Sequence, residues 1–209
     1  MADPTWVDVC TLVVAAGGFV VAVGGFGLGI YQYRQGRLEA RRKFAAESIR
    51  VLKDNLCVQA AGRMLDWSYR EGGIEIPVPG TDKRYSISPF VHTILAPALV
   101  PHQKKQDIFP PDETAIRDVF DVFIDELEIL AHQEAAKAIA LEDIAPYLRY
   151  LADLVHGRRD QVDKKVSVNL IEYMERYWGL HILDFLDRCR DYKPPPGPLV
   201  RLRRAVFGT

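Results

Sequence analysis

Cysteine is scarce in this 209-residue chain. Cys10, Cys57 and Cys189 make an odd set without metal-ligand spacing, so no disulfide framework or cysteine zinc site is expected, and reduced packing thiols are the default. Catalytic signatures are equally sparse. No serine lies in a G-x-S-x-G elbow, no E-x-x-H pair occurs, and His92, His102, His156 and His181 are scattered. The glycines of GGFGLG fall inside an apolar run rather than in a phosphate loop. These absences remove the positive case for a hydrolase, a di-metal bundle enzyme or a nucleotide site, and neither catalytic residue, metal nor cofactor is expected. Net charge is nearly absent too, at -1. The five basic and three acidic residues of positions 1–43 leave 22 basic and 25 acidic side chains for the remainder, a net -3. Nucleic-acid partners are met by basic faces, so none is expected.

Charge is missing altogether from Val9 to Tyr33, VCTLVVAAGGFVVAVGGFGLGIYQY. Roughly 20 helical residues cross a hydrocarbon core of about 30 Å, so this run reads as a transmembrane helix. The acids of MADPTWVD disfavour a signal peptide. Arg34, Arg37, Arg41, Arg42 and Lys43 follow the run, and the positive-inside rule then puts the N-terminus outside and the bulk of the chain in the cytoplasm. Trp6, Tyr31 and Tyr33 suit the two headgroup levels. Gly25 and Gly29 form a G-x-x-x-G step that Ala22 and Gly18 extend along one helix face, a pattern expected to associate with a second helix. The expected organisation is an extracytoplasmic stub 1–8, a transmembrane helix 9–33, a cytosolic helical domain 34–193, and a proline-rich stop with a basic tail 194–209.

The domain reads as all-α. From Leu38 to about Tyr69 apolar residues recur at intervals of three and four, with Gly36 as a joint and Asp54-Asn55 as a break, since short polar side chains compete for backbone hydrogen bonds. Residues 70–88 change character: IEIPV and RYSIS flank PGTD, which predicts a small hairpin whose prolines keep it at an edge. PFVHTILAPALVP is a short helix, and QKKQDIFPPD returns the chain to the surface. A helix entered through Pro110 and Pro111 carries the stripe Ile116, Val119, Phe120, Phe123, Leu127, Leu130 and Ala131. Another helix is expected from Leu141 or Glu142 to about His156. VSVNLIEYMERYWGLHILDFLDRCRDY follows as one last helix, stopped by PPPGP.

Asp118, Asp121, Asp125, Glu128 and His132 share one helix face. Glu128 and His132 are four apart and no matching arrangement is visible on a partner helix, so this face is expected to be solvated. Among the aromatics, Tyr147, Tyr150, Tyr173, Tyr177, Trp178 and Phe185 divide between core packing and a partner groove.

The N-terminal run, YQYRQGRLEARRKFAAESIRVL, MLDW, IRDVFDVFIDELE, YLRYLADL and YMERYWGLHILDFLDR together resemble a group of uncharacterised bacterial membrane-anchored helical proteins, with a layout also similar to small anti-phage defence effectors. The resemblance implies a single-pass protein of the bacterial inner membrane and no activity. The expected function is a membrane-anchored, non-enzymatic cytosolic helical interaction domain that binds itself or a protein partner, with the lipid bilayer as its other partner. The alternative is a membrane-perturbing or signalling effector.

Overall fold

The computed structural model describes residues 6–67, 69–102 and 109–194, and the side chains of all of these except 7–16, 20 and 91. The chain divides into two units, Met1–Lys43 and Phe44–Thr209. Helix α1 (Trp6–Asp54) contributes to both and has no break at Gly36.

In the first unit the described side chains are almost all exposed, Phe19, Phe26 and Tyr33 among them. Among the described residues no helix is long and apolar enough to cross a membrane. This corrects the expectation of a transmembrane helix followed by a cytosolic bundle. With it go the lipid bilayer as partner, the single-pass inner-membrane location, and the function as a membrane-anchored interaction domain or membrane-perturbing effector. Gly18, Ala22, Gly25 and Gly29 are exposed, and a Cβ added at any of these glycines would meet nothing within 4 Å. Of the basic cluster, Arg34, Arg37, Arg42 and Lys43 are exposed and Arg41 is half-buried. The Arg37 guanidinium lies 5.9 Å from the Tyr33 ring centroid.

The second unit is a helical bundle with small strand pairs. Its share of α1 buries Ala45, Ile49 and Leu52 and ends where Asn55 caps the next helix, α2 (Leu56–Asp66). The Asn55 carboxamide oxygen accepts from the backbone N–H of Cys57 at 2.9 Å and of Val58 at 3.5 Å. An N-cap is the local alternative to helix that a short polar side chain offers, so the break falls where Asp54-Asn55 predicts it. Strand β1 (Tyr69–Arg70) pairs antiparallel with β4 (Phe90–Val91), and β2 (Ile74–Pro77) with β3 (Arg84–Ile87). Ile74 and Ile76 face inward and Glu75 outward, the period-2 pattern of a half-buried strand. Gly73 takes φ +72° where a side chain would run into the Ile87 carbonyl, so no other residue fits the entry to this hairpin.

Helix α3 (His92–Ala98) precedes α4 (Pro111–Ala135), the longest helix of this unit among the described residues. Pro111 starts α4 and Asp112 lies in its first turn, as the N-terminal end of the helix dipole favours. Its stripe is buried: Ile116, Val119, Phe120, Phe123, Ile124 and Leu127 are fully inaccessible. It packs on α2, α3 and α7, while α5 (Leu141–Val155) packs mainly on α7. The last expected helix is two, α6 (Lys164–Tyr177) and α7 (Leu180–Asp191). The chain turns at Trp178-Gly179, where Gly179 adopts φ +87°, a conformation open to glycine and strained for other residues. Beyond Pro194 the proline-rich stop and basic tail lie outside the described residues, as does QKKQDI.

Candidate functional site

On the face of α4 expected to be solvated, Asp118, Asp125 and His132 are exposed, while Asp121 and Glu128 are half-buried in a seam. The α6–α7 elbow lies along it and meets its carboxylates one after another. The Tyr173 hydroxyl donates to Asp121 Oδ1 at 2.5 Å, and the Trp178 indole N–H donates to Asp125 Oδ1 at 2.7 Å. The imidazole Nε2 atoms of His132 and His181 each lie 3.5 Å from Glu128 Oε1. Asp118 is exposed, and no cationic side chain pairs with it among the described residues.

At the N-terminal half of this seam is a cavity of about 520 Å³, within the size range of small-molecule sites. His102, Phe109, Arg117, Asp118, Asp121 and the aromatic group Tyr173, Tyr177 and Trp178 line it, with Thr114 at its edge. Arg117 is only 6% exposed. Its guanidinium donates to the carbonyls of Ala98 at 2.8 Å and Val100 at 2.9 Å, where α3 ends, and to His102 Nδ1 at 2.8 Å. A guanidinium has no acceptor, so His102 Nδ1 is the unprotonated nitrogen of its ring in this arrangement. The ring centroids of Phe109 and Tyr173 lie 4.3 and 4.6 Å from the guanidinium carbon. The positive charge of Arg117 thus lies over two rings and is taken up by the carbonyls left over at a helix C-terminus.

The rings form one cluster. Tyr173 and Tyr177 have centroids 4.9 Å apart, Tyr173 and Trp178 5.7 Å, and Tyr177 and Trp178 6.0 Å. The backbone N–H of His102 donates to the Tyr177 hydroxyl at 3.0 Å, which ties the end of α3 to α6. Burial pushes the Asp121 carboxyl above the usual carboxylate range. Asp118 and Asp125 add to that shift, and the Tyr173 hydroxyl and Arg117 oppose it. Burial, and then the hydrogen bond to Asp121, raises Tyr173 well above an ordinary phenol. The cavity therefore holds two carboxyl groups of α4, Asp118 and Asp121, beside a guanidinium that is already hydrogen-bonded.

The aromatics divide as expected between core and surface: Tyr147, Tyr150 and Tyr177 are exposed. Tyr173, Leu183 and Phe185 are buried. Exposed Tyr150 donates its hydroxyl to Asp66, and the Lys53 ammonium stands 4.6 Å over the Tyr147 ring.

Sequence reasoning selected the α4 carboxylates and missed what faces them: Arg117, His102, Tyr177 as a hydrogen-bonding group, and His181. One signal was available. Arg117 stands at helical spacing from Phe120 and Ile124, on the buried side of the stripe, and a charge there must be paired or hydrogen-bonded. Compared with known proteins, the chain matches no family model, no curated protein and no solved structure. The resemblance to membrane-anchored bacterial proteins is corrected accordingly, since among the described residues no helix is long and apolar enough to cross a membrane.

Proposed function

We propose that the cavity between the end of α3, α4 and the α6–α7 elbow binds a small organic cation, an amine or quaternary ammonium with an apolar body. The observation that carries this reading is the asymmetry of charge available to a ligand. Arg117 makes three hydrogen bonds, to Ala98, Val100 and His102, is 6% exposed and lies against the rings of Phe109 and Tyr173, so it offers an anion little. Asp118 is exposed at the same cavity, and beside it is Asp121, whose carboxyl is pushed up by burial and by Asp118 and Asp125, a shift that a nearby cation would reverse. A cation entering the cavity relieves the repulsion among these carboxylates. Tyr177 and Trp178 supply the negative ring faces that ammonium groups prefer, worth about 0.5 to 2 kcal/mol per contact as water is displaced.

The test is isothermal titration of the whole chain with tetramethylammonium, benzylamine, benzoate and inorganic phosphate. The two cations are expected to bind with one site and to quench tryptophan emission through Trp178. Asp118→Asn is expected to weaken them by about 1 kcal/mol or more, the scale of one exposed-side charge at a partly desolvated site. Preference for benzoate or phosphate over both cations overturns the reading, as does cation binding that is indifferent to Asp118→Asn and Trp178→Leu together.

A further inference from the structure

We infer that Glu128, His132 and His181 form a binding site for one divalent transition-metal ion of the zinc class. The three side chains come from two helices, Glu128 and His132 from consecutive turns of α4 and His181 from the first turn of α7. Each offers one ligand atom, and these atoms all lie within 4.8 Å of one another.

The separations suit a metal better than they suit hydrogen bonds. Both imidazole Nε2 atoms stand 3.5 Å from Glu128 Oε1, beyond the ordinary N–H···O range of about 2.7 to 3.2 Å. Ligand atoms held about 2.0 to 2.1 Å from a tetrahedral centre lie about 3.3 to 3.4 Å from each other, so one ion placed among these three reaches all of them with small adjustments. Two imidazoles and one carboxylate are the donor set in which zinc keeps a position open for water, and borderline nitrogen donors select zinc, cobalt or nickel over calcium and magnesium. The exposed side of the cluster, with His132 67%, His181 44% and Glu128 31% accessible at their side chains, leaves room for that water.

The cluster is also built by its surroundings. Asp125 and Glu128 are three apart on α4, and Trp178 and His181, three apart across the elbow, meet them in matching order. The Trp178–Asp125 hydrogen bond fixes the elbow on one side. On the other, Arg188 of α7 grips Glu134 of α4 with two hydrogen bonds of 2.8 and 2.9 Å. His181 therefore reaches Glu128 from a helix held at both ends, and little ordering is left for an ion to impose. This site is separate from the aromatic cavity and does not depend on the cation reading.

The experiment uses the full chain, freed of metal by a chelator, and titrates Co²⁺ at pH 7.5 while visible absorption is recorded. One Co²⁺ per chain is expected, with the intense bands of four- or five-coordinate cobalt, and zinc is expected to displace it. His181→Ala and His132→Ala are each expected to weaken binding by about 100-fold or more, while His156→Gln, a histidine outside the cluster, leaves it unchanged. Far-UV circular dichroism verifies that each variant is folded, which the exposed positions of His132 and His181 favour. Failure of the folded parent chain to take up Co²⁺ at millimolar metal overturns the site. So does binding that survives both alanine variants undiminished.

Discussion

Replacing Arg117 by methionine isolates the group on which the end of α3, α4 and α6 converge. The substitution keeps much of the side-chain volume and removes three hydrogen bonds, to Ala98 O, Val100 O and His102 Nδ1, together with two contacts to the faces of Phe109 and Tyr173. Hydrogen bonds to a charged donor contribute about 1.5 to 3 kcal/mol each, and each ring contact roughly 0.5 to 2. Burying a guanidinium costs several kcal/mol, which offsets much of that sum in the parent protein. What the variant loses is dominated by the carbonyls of Ala98 and Val100 left without donors and by Asp121 left without its nearest positive charge. Removal of one partner from such a buried arrangement costs about 3 to 5 kcal/mol. Arg117→Lys keeps the charge but cannot reach three acceptors in one plane, so an intermediate loss of about 2 to 3 kcal/mol is expected. Urea unfolding followed by far-UV circular dichroism measures both, with the slope against denaturant checked for constancy. A loss below about 1 kcal/mol in Arg117→Met, with the slope unchanged, would refute the claim that this side chain holds the three elements together.

Two further outcomes follow from the packing. Phe123 is fully inaccessible and meets Phe120 edge to face at 5.9 Å between centroids, so Phe123→Ala is expected to destabilise by about 3 to 5 kcal/mol in the same urea assay, and a loss under about 1 kcal/mol would show that α4 does not centre the core. Acid is expected to weaken the fold through His92, whose Nε2 lies 3.0 Å from Met64 O and whose Nδ1 receives the Asp163 N–H at 3.3 Å. Burial lowers its pKa, against the smaller opposing effects of Met64 and Asp163, so the unfolded chain binds the proton more readily. The stability that depends on the neutral ring is complete above the unfolded value of about 6.5 and is lost as pH falls from there toward the folded value, with a slope of at most about 1.4 kcal/mol per pH unit. His156 is lowered by burial in the same sense and Asp121 is raised in the opposite one, so the comparison of His92→Gln with the parent isolates this ring. Equal slopes between pH 7 and 5 in the two proteins would exclude it.

Local signals were read from the sequence where the physics is local. The stripe of α4 repeats at the helical period and is the buried face. Asn55 sits where a helix must stop, because its side chain caps the next one. The turn around PGTD, flanked by alternating residues, lies between β2 and β3. The first unit shows the limit of such reading: a run without charge suggested a membrane span, while the described residues contain no helix long and apolar enough for one. Gly179 shows another, since the periodicity of apolar residues runs on through Trp178-Gly179 and only the positive φ at the glycine turns α6 into α7. Spacing put Asp121, Asp125 and Glu128 on one face, and solvent was the natural expectation for it. Tyr173, Trp178 and His181 cover that face from 52 to 53 residues away along the chain, joined by contacts that no period of 3.6 encodes. Periodicity states which face of a helix is apolar or charged. Which other helix lies against that face follows from how the buried stripes fill a common core, and so the cavity at Arg117 and the meeting of Glu128 with two histidines were decided by the tertiary structure.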